Sequence, residues 1–469
     1  MVQSFVDAVN GVVWGWPMLI LLLGTHLYLT FRLKFIQKNV FTGIRLTFTQ
    51  DTKAEGDVTQ WGALATALAA TLGTGNLVGV ATAVVRGGPG AVFWLWITGL
   101  FGIATKYSEA VLAIKYRVRT SDGLMLGGPM YALEKGMNAK WLGILFSLFA
   151  AIACFGIGNL VQVNSITANI ENVFLIPAPM TGVVLTIFTF LVIVGGIKSI
   201  ARVAEKIVPV MAILFFLGDI YILFYNAPYI VPALTLIVKS AFSVQAITGA
   251  IAGYSVMASA RFGIARGLFS NEAGLGSAPI AAAAAITRNP VRQGLVSMSQ
   301  VFWDTIVLCL VTGTVYVSSI LRDPDCFLIV NEDGETALIN GNVFAAKAFE
   351  VIPVIGPALL AISIMLFAWT TIISWEYYGE RGIEYLFGRN GKKAIIPFRV
   401  FYTLMTFVGS VTALNLVWDI SDMFNAFMAF PNLISMLALS GVIVKITKEY
   451  LWDKNLDGID SDPIPVIQN

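Results

Sequence analysis

Three glycines, two threonines and an asparagine stand inside one apolar run. Ala69 to Gly79 reads AATLGTGNLVG, within a segment from Trp61 to Val85 that is long enough to cross a bilayer. A helical glycine costs about 1 kcal/mol relative to alanine. Gly73, Gly75 and Gly79 therefore weaken the hydrogen-bond ladder where Thr74 and Asn76 offer competing partners. Two readings follow. In one, the glycines allow close helix packing, and Gly75-Asn76-Leu77-Val78-Gly79 satisfies the GxxxG pattern. In the other, the helix breaks. An unsatisfied backbone group in hydrocarbon costs several kcal/mol, so a break persists only where it is buried in protein or meets a ligand. Free N–H groups opening the second half favour a carboxylate, and carbonyls ending the first half favour a small cation. A zwitterionic amino acid with Na+ meets both demands. A dinucleotide fingerprint does not fit this glycine spacing, and no βαβ context surrounds it.

A second constellation is FAWTTIISW, Phe367 to Trp375. Thr370 and Thr371 follow Phe367 by three and four residues, so both hydroxyls and the Phe367 carbonyl can converge on one side of one helical turn. Such hard oxygen ligands suit Na+. The competing reading is that each threonine simply bonds back to the carbonyl one turn earlier.

The elements that must hold these residues are membrane helices. The chain has 469 residues, 57% apolar and 12% charged, with mean hydropathy +0.78, against about a quarter charged in a soluble domain. Apolar runs predict an all-α polytopic membrane protein of about eleven spans: 11–31, 61–85, 90–114, 141–171, 179–197, 206–226, 241–260, 294–321, 353–377, 395–414 and 418–445. The first run lacks a basic leader and a cleavage site, so it reads as a retained helix. With the N-terminus outside and the C-terminus cytoplasmic, 25 Lys and Arg fall on the inner side, Arg261 and Arg266 among them, against four outside: Arg86, Lys239, Arg322 and Lys347. The outer stretch Arg322 to Ile352, containing NEDGETALINGN, reads as turns or a short hairpin able to act as a lid.

Spans two to six and seven to eleven make two sets of five that start in opposite orientations, which allows an inverted repeat after one extra helix. The first span of each set carries glycines and hydroxyl residues mid-span, TLGTGN in one and GAIAGYSVMASA in the other. Buried charges complete the inventory. Lys106 and Glu109 have the spacing of a helical pair, while Asp219, Asp304 and Glu376 lie in or near spans and read as gating or structural groups. One histidine and three cysteines without ligand spacing suggest neither a metal centre nor a disulfide framework. Nothing supports nucleic-acid binding.

The blocks GGPGAVFWLWITGLFGIATKYSE (Gly87 to Glu109), TLGTGNLVG and GLFSNEAGLGSAP (Gly267 to Pro279) resemble the alanine or glycine:cation symporter family, and the likeness runs through essentially the whole chain. That family is similar in fold to the bacterial leucine transporter. The resemblance implies one transporter domain over 1–469: an extra helix at 11–31, a first repeat at 61–226, a second at 241–445 and a cytoplasmic tail at 446–469. It implies that spans two and seven are broken and that four and nine complete the pocket. It places the substrate carboxylate on the N–H groups of Gly73, Thr74 and Gly75, beside Asn76, with Thr371 as an extra donor. Sodium would be held by the carbonyls of Ala69, Leu72 and Phe367 and the hydroxyls of Thr370 and Thr371. Gln162 is the candidate acceptor for the substrate ammonium, since a neutral amide oxygen adds no buried charge. Met257 and Trp375, with Phe155 as a weaker candidate, would close a small apolar compartment selecting alanine or glycine by size. NEAGLGSAP, around Asn271 and Glu272, reads as an inner gate.

The expected activity is sodium-coupled import of a small neutral amino acid across the plasma membrane, with no organic cofactor. Proton coupling through Asp219, Asp304 or Glu376 is the alternative. A channel would need a continuous polar stripe or filter, and an enzyme a nucleophile with its base or a metal cluster.

Overall fold

A computed structural model describes residues 2–49, 51, 54–243, 255–330, 336–388, 391–412 and 415–467. Among these, helices dominate. Six are long and apolar enough to cross a membrane: Gly90–Lys115, Lys140–Phe174, Gly196–Tyr225, Pro290–Arg322, Gly356–Phe387 and Gly391–Val411. Three bent pairs raise the number to nine, at Gln3–Val13 with Trp16–Arg32, Gln60–Thr71 with Gly75–Gly87, and Leu416–Ala438 with Ser440–Trp452. Ala178–Ile193 is apolar but shorter, so these lengths do not establish the expected count of eleven.

Helix starts follow local chemistry. Thr59 accepts from Gly62 N–H at 2.8 Å, Ser255 from Ala258 N–H at 3.1 Å, and Asn289 from Arg292 N–H at 3.0 Å with Pro290 behind it. The outer faces are apolar by design of the medium: Val183, Val184, Ile187, Phe188 and Leu191 are all exposed on Ala178–Ile193, as hydrocarbon-facing residues must be. Inside, Phe215 stacks on Phe349 at 5.6 Å and meets the Phe367 ring edge-on at 5.7 Å.

Several span limits differ from the hydropathy reading, always where charges sit inside a helix. Residues 198–205 are not the break between two spans: Lys198 and Arg202 lie with Lys206 within the helix Gly196–Tyr225, and the break falls earlier, after Ala178–Ile193. The helix expected to end at Tyr377 continues to Phe387, with Arg381 paired to Glu380 and Glu384. Span seven is seen as Val256–Asn271. The glycine-rich part of GAIAGYSVMASA, at 249–254, lies outside the described residues. Arg266 in that helix pairs with Asp422, which lines a cleft with Arg86 and Asn340. Arg261 and Arg266 thus belong on the Arg86 side, leaving the charge asymmetry at 23 against 6. The expected hairpin is present as Leu328–Val330 antiparallel to Thr336–Leu338, with 331–335 outside the described residues.

Candidate functional site

The helix Gln60–Thr71 ends at Leu72, whose ψ of 82° leaves the helical region. The chain resumes as a π-helical turn, Gly75–Gly79, and then Val80–Gly87, bent by 49° from the first half. Of the two readings of AATLGTGNLVG, the break is the one the structure adopts. The Gly73 N–H, which an unbroken helix would direct at Ala69, donates to Thr71 O at 2.9 Å and to Asn76 Oδ1 at 3.2 Å. The Thr74 N–H donates to Gln162 Oε1 at 3.3 Å. Two neutral amide oxygens therefore sit on the N–H groups that open the second half. The Thr74 hydroxyl is buried and has no hydrogen-bond partner among the described residues.

Losing the ladder frees the Ala69 carbonyl, and Thr371 Oγ1 reaches it across helices at 3.1 Å. The same hydroxyl lies 3.0 Å from Phe367 O, and Thr370 Oγ1 lies 2.9 Å from it. A hydroxyl has one proton and can serve only one carbonyl at a time. Two carbonyls and two hydroxyls thus crowd together, four oxygens sharing two protons, an oxygen-rich arrangement that suits a small hard cation. Thr370 also touches Met211 Sδ at 3.5 Å.

On the other side of the break, Asn76 Nδ2 donates to Asp304 Oδ1 at 2.7 Å and to Ser270 Oγ at 3.0 Å. Ser270 and Thr305 hydroxyls donate to Asp304 Oδ2 at 2.9 and 2.7 Å. Two π-helical turns meet here, Gly75–Gly79 supplying Asn76 and Phe302–Cys309 supplying Asp304; a third, Gly156–Leu160, precedes Gln162, whose Nε2 donates to the Ile157 carbonyl at 2.8 Å. Such turns are single-residue adjustments that frequently mark functional sites.

Trp375 lies one turn past Thr371 on the same face. It is buried, and its Nε1 donates to Glu272 Oε1 at 2.9 Å; Ser277 bonds the other oxygen of that carboxylate. Glu272 opens a tight turn with Gly274 and Gly276 at φ +97° and +86°, values that glycine adopts without strain. Both of those N–H groups point at Glu109 Oε1, at 2.9 and 3.2 Å, and Asn432 Nδ2 joins them at 2.7 Å. Lys106 pairs with Glu109 at 3.6 Å and donates to Glu272 O at 2.9 Å. The expected Lys106–Glu109 pair thus holds the NEAGLG turn. Removing one partner of a buried pair costs about 3–5 kcal/mol. Glu109→Gln is accordingly expected to lower the thermal unfolding midpoint of the purified protein markedly, and an unchanged midpoint would contradict this account of the turn.

Ala69, Leu72, Gly73, Thr74, Gly75, Asn76, Gln162, Phe367, Thr370, Thr371 and Trp375 lie on elements that converge at the break. Met257 does not join them. It lines an apolar crevice with Trp16, Ile20 and Trp94, 13 residues before Ser270, or roughly 20 Å along the helix. Phe155 packs among Phe398, Phe401 and Tyr402 instead. Two site residues were not singled out beforehand. Ser270 bonds Asn76, and Phe269 covers Gly75, where an added Cβ would lie 3.1 Å from its ring. Phe269 stacks on Trp418 at 5.5 Å, beneath the Arg266–Asp422 pair.

Comparison with known proteins bears on the family and the fold. The model of the sodium:alanine symporter family matches residues 1–462. The sodium/alanine symporter AgcS of Methanococcus maripaludis is 48% identical over 454 residues, covering 95% of this chain and 97% of that protein. An uncharacterised transporter of Haemophilus influenzae is 45% identical over 465 residues, covering 99% of both. Among solved structures, a substrate-bound, outward-open Na+-coupled sialic acid symporter superposes with TM-score 0.56 at 10% identity, covering 92% of this chain and 98% of that one. The fold is of the leucine-transporter type, and the match is to transporters, not enzymes.

Proposed function

The chain belongs to the sodium:alanine symporter family, and from that premise we propose that it imports a small neutral amino acid, alanine or glycine, together with Na+ by alternating access. The observation that carries the reading is Thr371 Oγ1 between the Ala69 and Phe367 carbonyls at 3.1 and 3.0 Å, because it joins the break to the threonine pair. Sodium takes these oxygens with Thr370 and the Leu72 carbonyl. The substrate carboxylate takes the N–H groups of Gly73, Thr74 and Gly75, displacing the Asn76 and Gln162 oxygens, and the freed Gln162 oxygen accepts from the ammonium. Trp375 limits the side chain from below, while Gly158 packs so closely on it that a Cβ there would lie 2.3 Å from Trp375 Cβ. Sodium binding draws the first half-helix to Thr371 and so favours the form that accepts the amino acid.

The driving force suffices. One charge crossing 100 mV is worth about 2.3 kcal/mol and a tenfold sodium gradient about 1.4 kcal/mol, enough for several-hundred-fold accumulation. The charge asymmetry supports a plasma-membrane protein with N-terminus outside and C-terminus cytoplasmic, organised as repeats 61–226 and 241–445 after helix 11–31. Labelled alanine uptake into proteoliposomes is expected to need a sodium gradient. Uptake indifferent to sodium and driven by a proton gradient would overturn the coupling and favour the buried carboxylate Asp304 as the carrier.

A further inference from the structure

Residues 453–467 lie across the end of the molecule assigned to the cytoplasm, and their contacts fall on segments leading directly into helices of the site. Val466 and Ile467 add a parallel strand beside Arg119 and Thr120, just past Gly90–Lys115, and Arg119 N–H donates to Pro465 O at 2.8 Å. Lys115, at the end of that helix, pairs with Asp462. Asn289, the cap of Pro290–Val301, donates to Leu456 O and Gly458 O at 2.9 and 2.8 Å, while Asp460 N–H donates to Arg288 O at 2.8 Å. Asp457 accepts from Arg292 at 2.6 Å. The bridged segments are themselves tied to the chain entering the broken helix. Asp57 and Val58 N–H groups both donate to Ala284 O, at 2.8 and 3.2 Å, Ile286 N–H donates to Val58 O at 2.8 Å, and Asp51 pairs with Arg288.

We infer that 453–467 is a strap that holds the cytoplasmic side closed and must release for the transporter to open inward. The inference rests on the alternating-access reading above. Inward opening requires the segments packed at this end to separate from one another; the lead into Gln60–Thr71 is held to two of them, 115–120 and 288–292, and the strap joins the same two. Its strength suits a reversible latch. The Asp457 and Asp462 side chains are 85% and 66% exposed, a setting in which a pair is individually weak and screened by salt. Several such pairs and the main-chain bonds act together, which is enough to bias a two-state equilibrium without freezing it. The strap therefore sets how often the inner side opens, and ionic strength at that face tunes it.

Hydrogen–deuterium exchange in nanodiscs tests this on four full-membrane forms: the intact chain, a chain ended after Trp452, Lys115→Asp, and Lys115→Asp with Asp462→Lys. Amides of Asp57, Val58 and Ile286 are expected to exchange about tenfold faster in the truncated chain and in Lys115→Asp, and to return toward the intact rate in the charge swap. Should truncation prevent folding, the point variants carry the test. Unchanged exchange in Lys115→Asp, or a swap that restores nothing, overturns the strap. Because exchange is read without transport, that failure leaves the symport reading standing, whereas sodium-indifferent uptake would remove the symport reading alone.

Discussion

Thr371→Ala raises the sodium concentration for half-maximal alanine uptake by about 10- to 100-fold, because a hydrogen bond or ligand to a charged group contributes about 1.5–3 kcal/mol. The hydroxyl touches both the broken helix, at the Ala69 carbonyl, and the Phe367 carbonyl. In the proposed sodium site its loss removes an ion ligand, and with it the contact between the two elements. Thr370→Ala is expected to be milder, since Thr370 Oγ1 meets Phe367 O at 2.9 Å but has no bond to Ala69. Thr371→Ser keeps the oxygen and restores sodium affinity. If threonine merely bonded back to its own helix, all three variants would show the same sodium dependence as the unaltered protein. Sodium titration of initial uptake rates in proteoliposomes separates the outcomes.

The parts of this site that were legible in the sequence are those whose chemistry is local. Glycine, threonine and asparagine within six residues declare a weakened helix wherever it sits, and two threonines three and four residues after Phe367 share a helical face whatever packs on it. What could not be read were pairings set by the fold. Ser270 and Asp304 reach Asn76 from 194 and 228 residues away, and a lone serine in GLFSNEAG carries no mark of that contact. Met257 was misplaced for a related reason. Hydropathy ends a span at the first charges, but Arg266 is satisfied inside the protein by Asp422 and by the Phe269 and Trp418 rings at 5.3 and 5.9 Å. The helix therefore continues to Asn271, and its inner end meets the break. The same misreading cut ten residues from Gly356–Phe387, where Arg381 and Arg399 balance Glu380 and Glu384. Charge predicts exposure only until a partner is present, and partners are a tertiary property.

Gly73→Ala tests that convergence at its tightest point. A Cβ at residue 73 would lie 2.6 Å from Thr371 Oγ1 and 3.4 Å from Gln162 Oε1. The first distance is far inside contact, so Thr371 must rotate away and give up the Ala69 carbonyl. Overpacking costs about 1–3 kcal/mol and the displaced hydroxyl about 1.5–3 kcal/mol more. Together these predict a fall of about 100-fold or greater in alanine uptake efficiency, with membrane insertion intact. The clash also predicts a specific non-additivity, because contacting residues couple. In a Thr371→Ala background the obstructing oxygen is gone, so adding Gly73→Ala should cost little beyond Thr371→Ala alone. A double variant as impaired as the product of the two single losses would mean that residue 73 acts independently of Thr371. The close approach of the broken helix to the threonine pair would then not be the feature that binds sodium and substrate into one site.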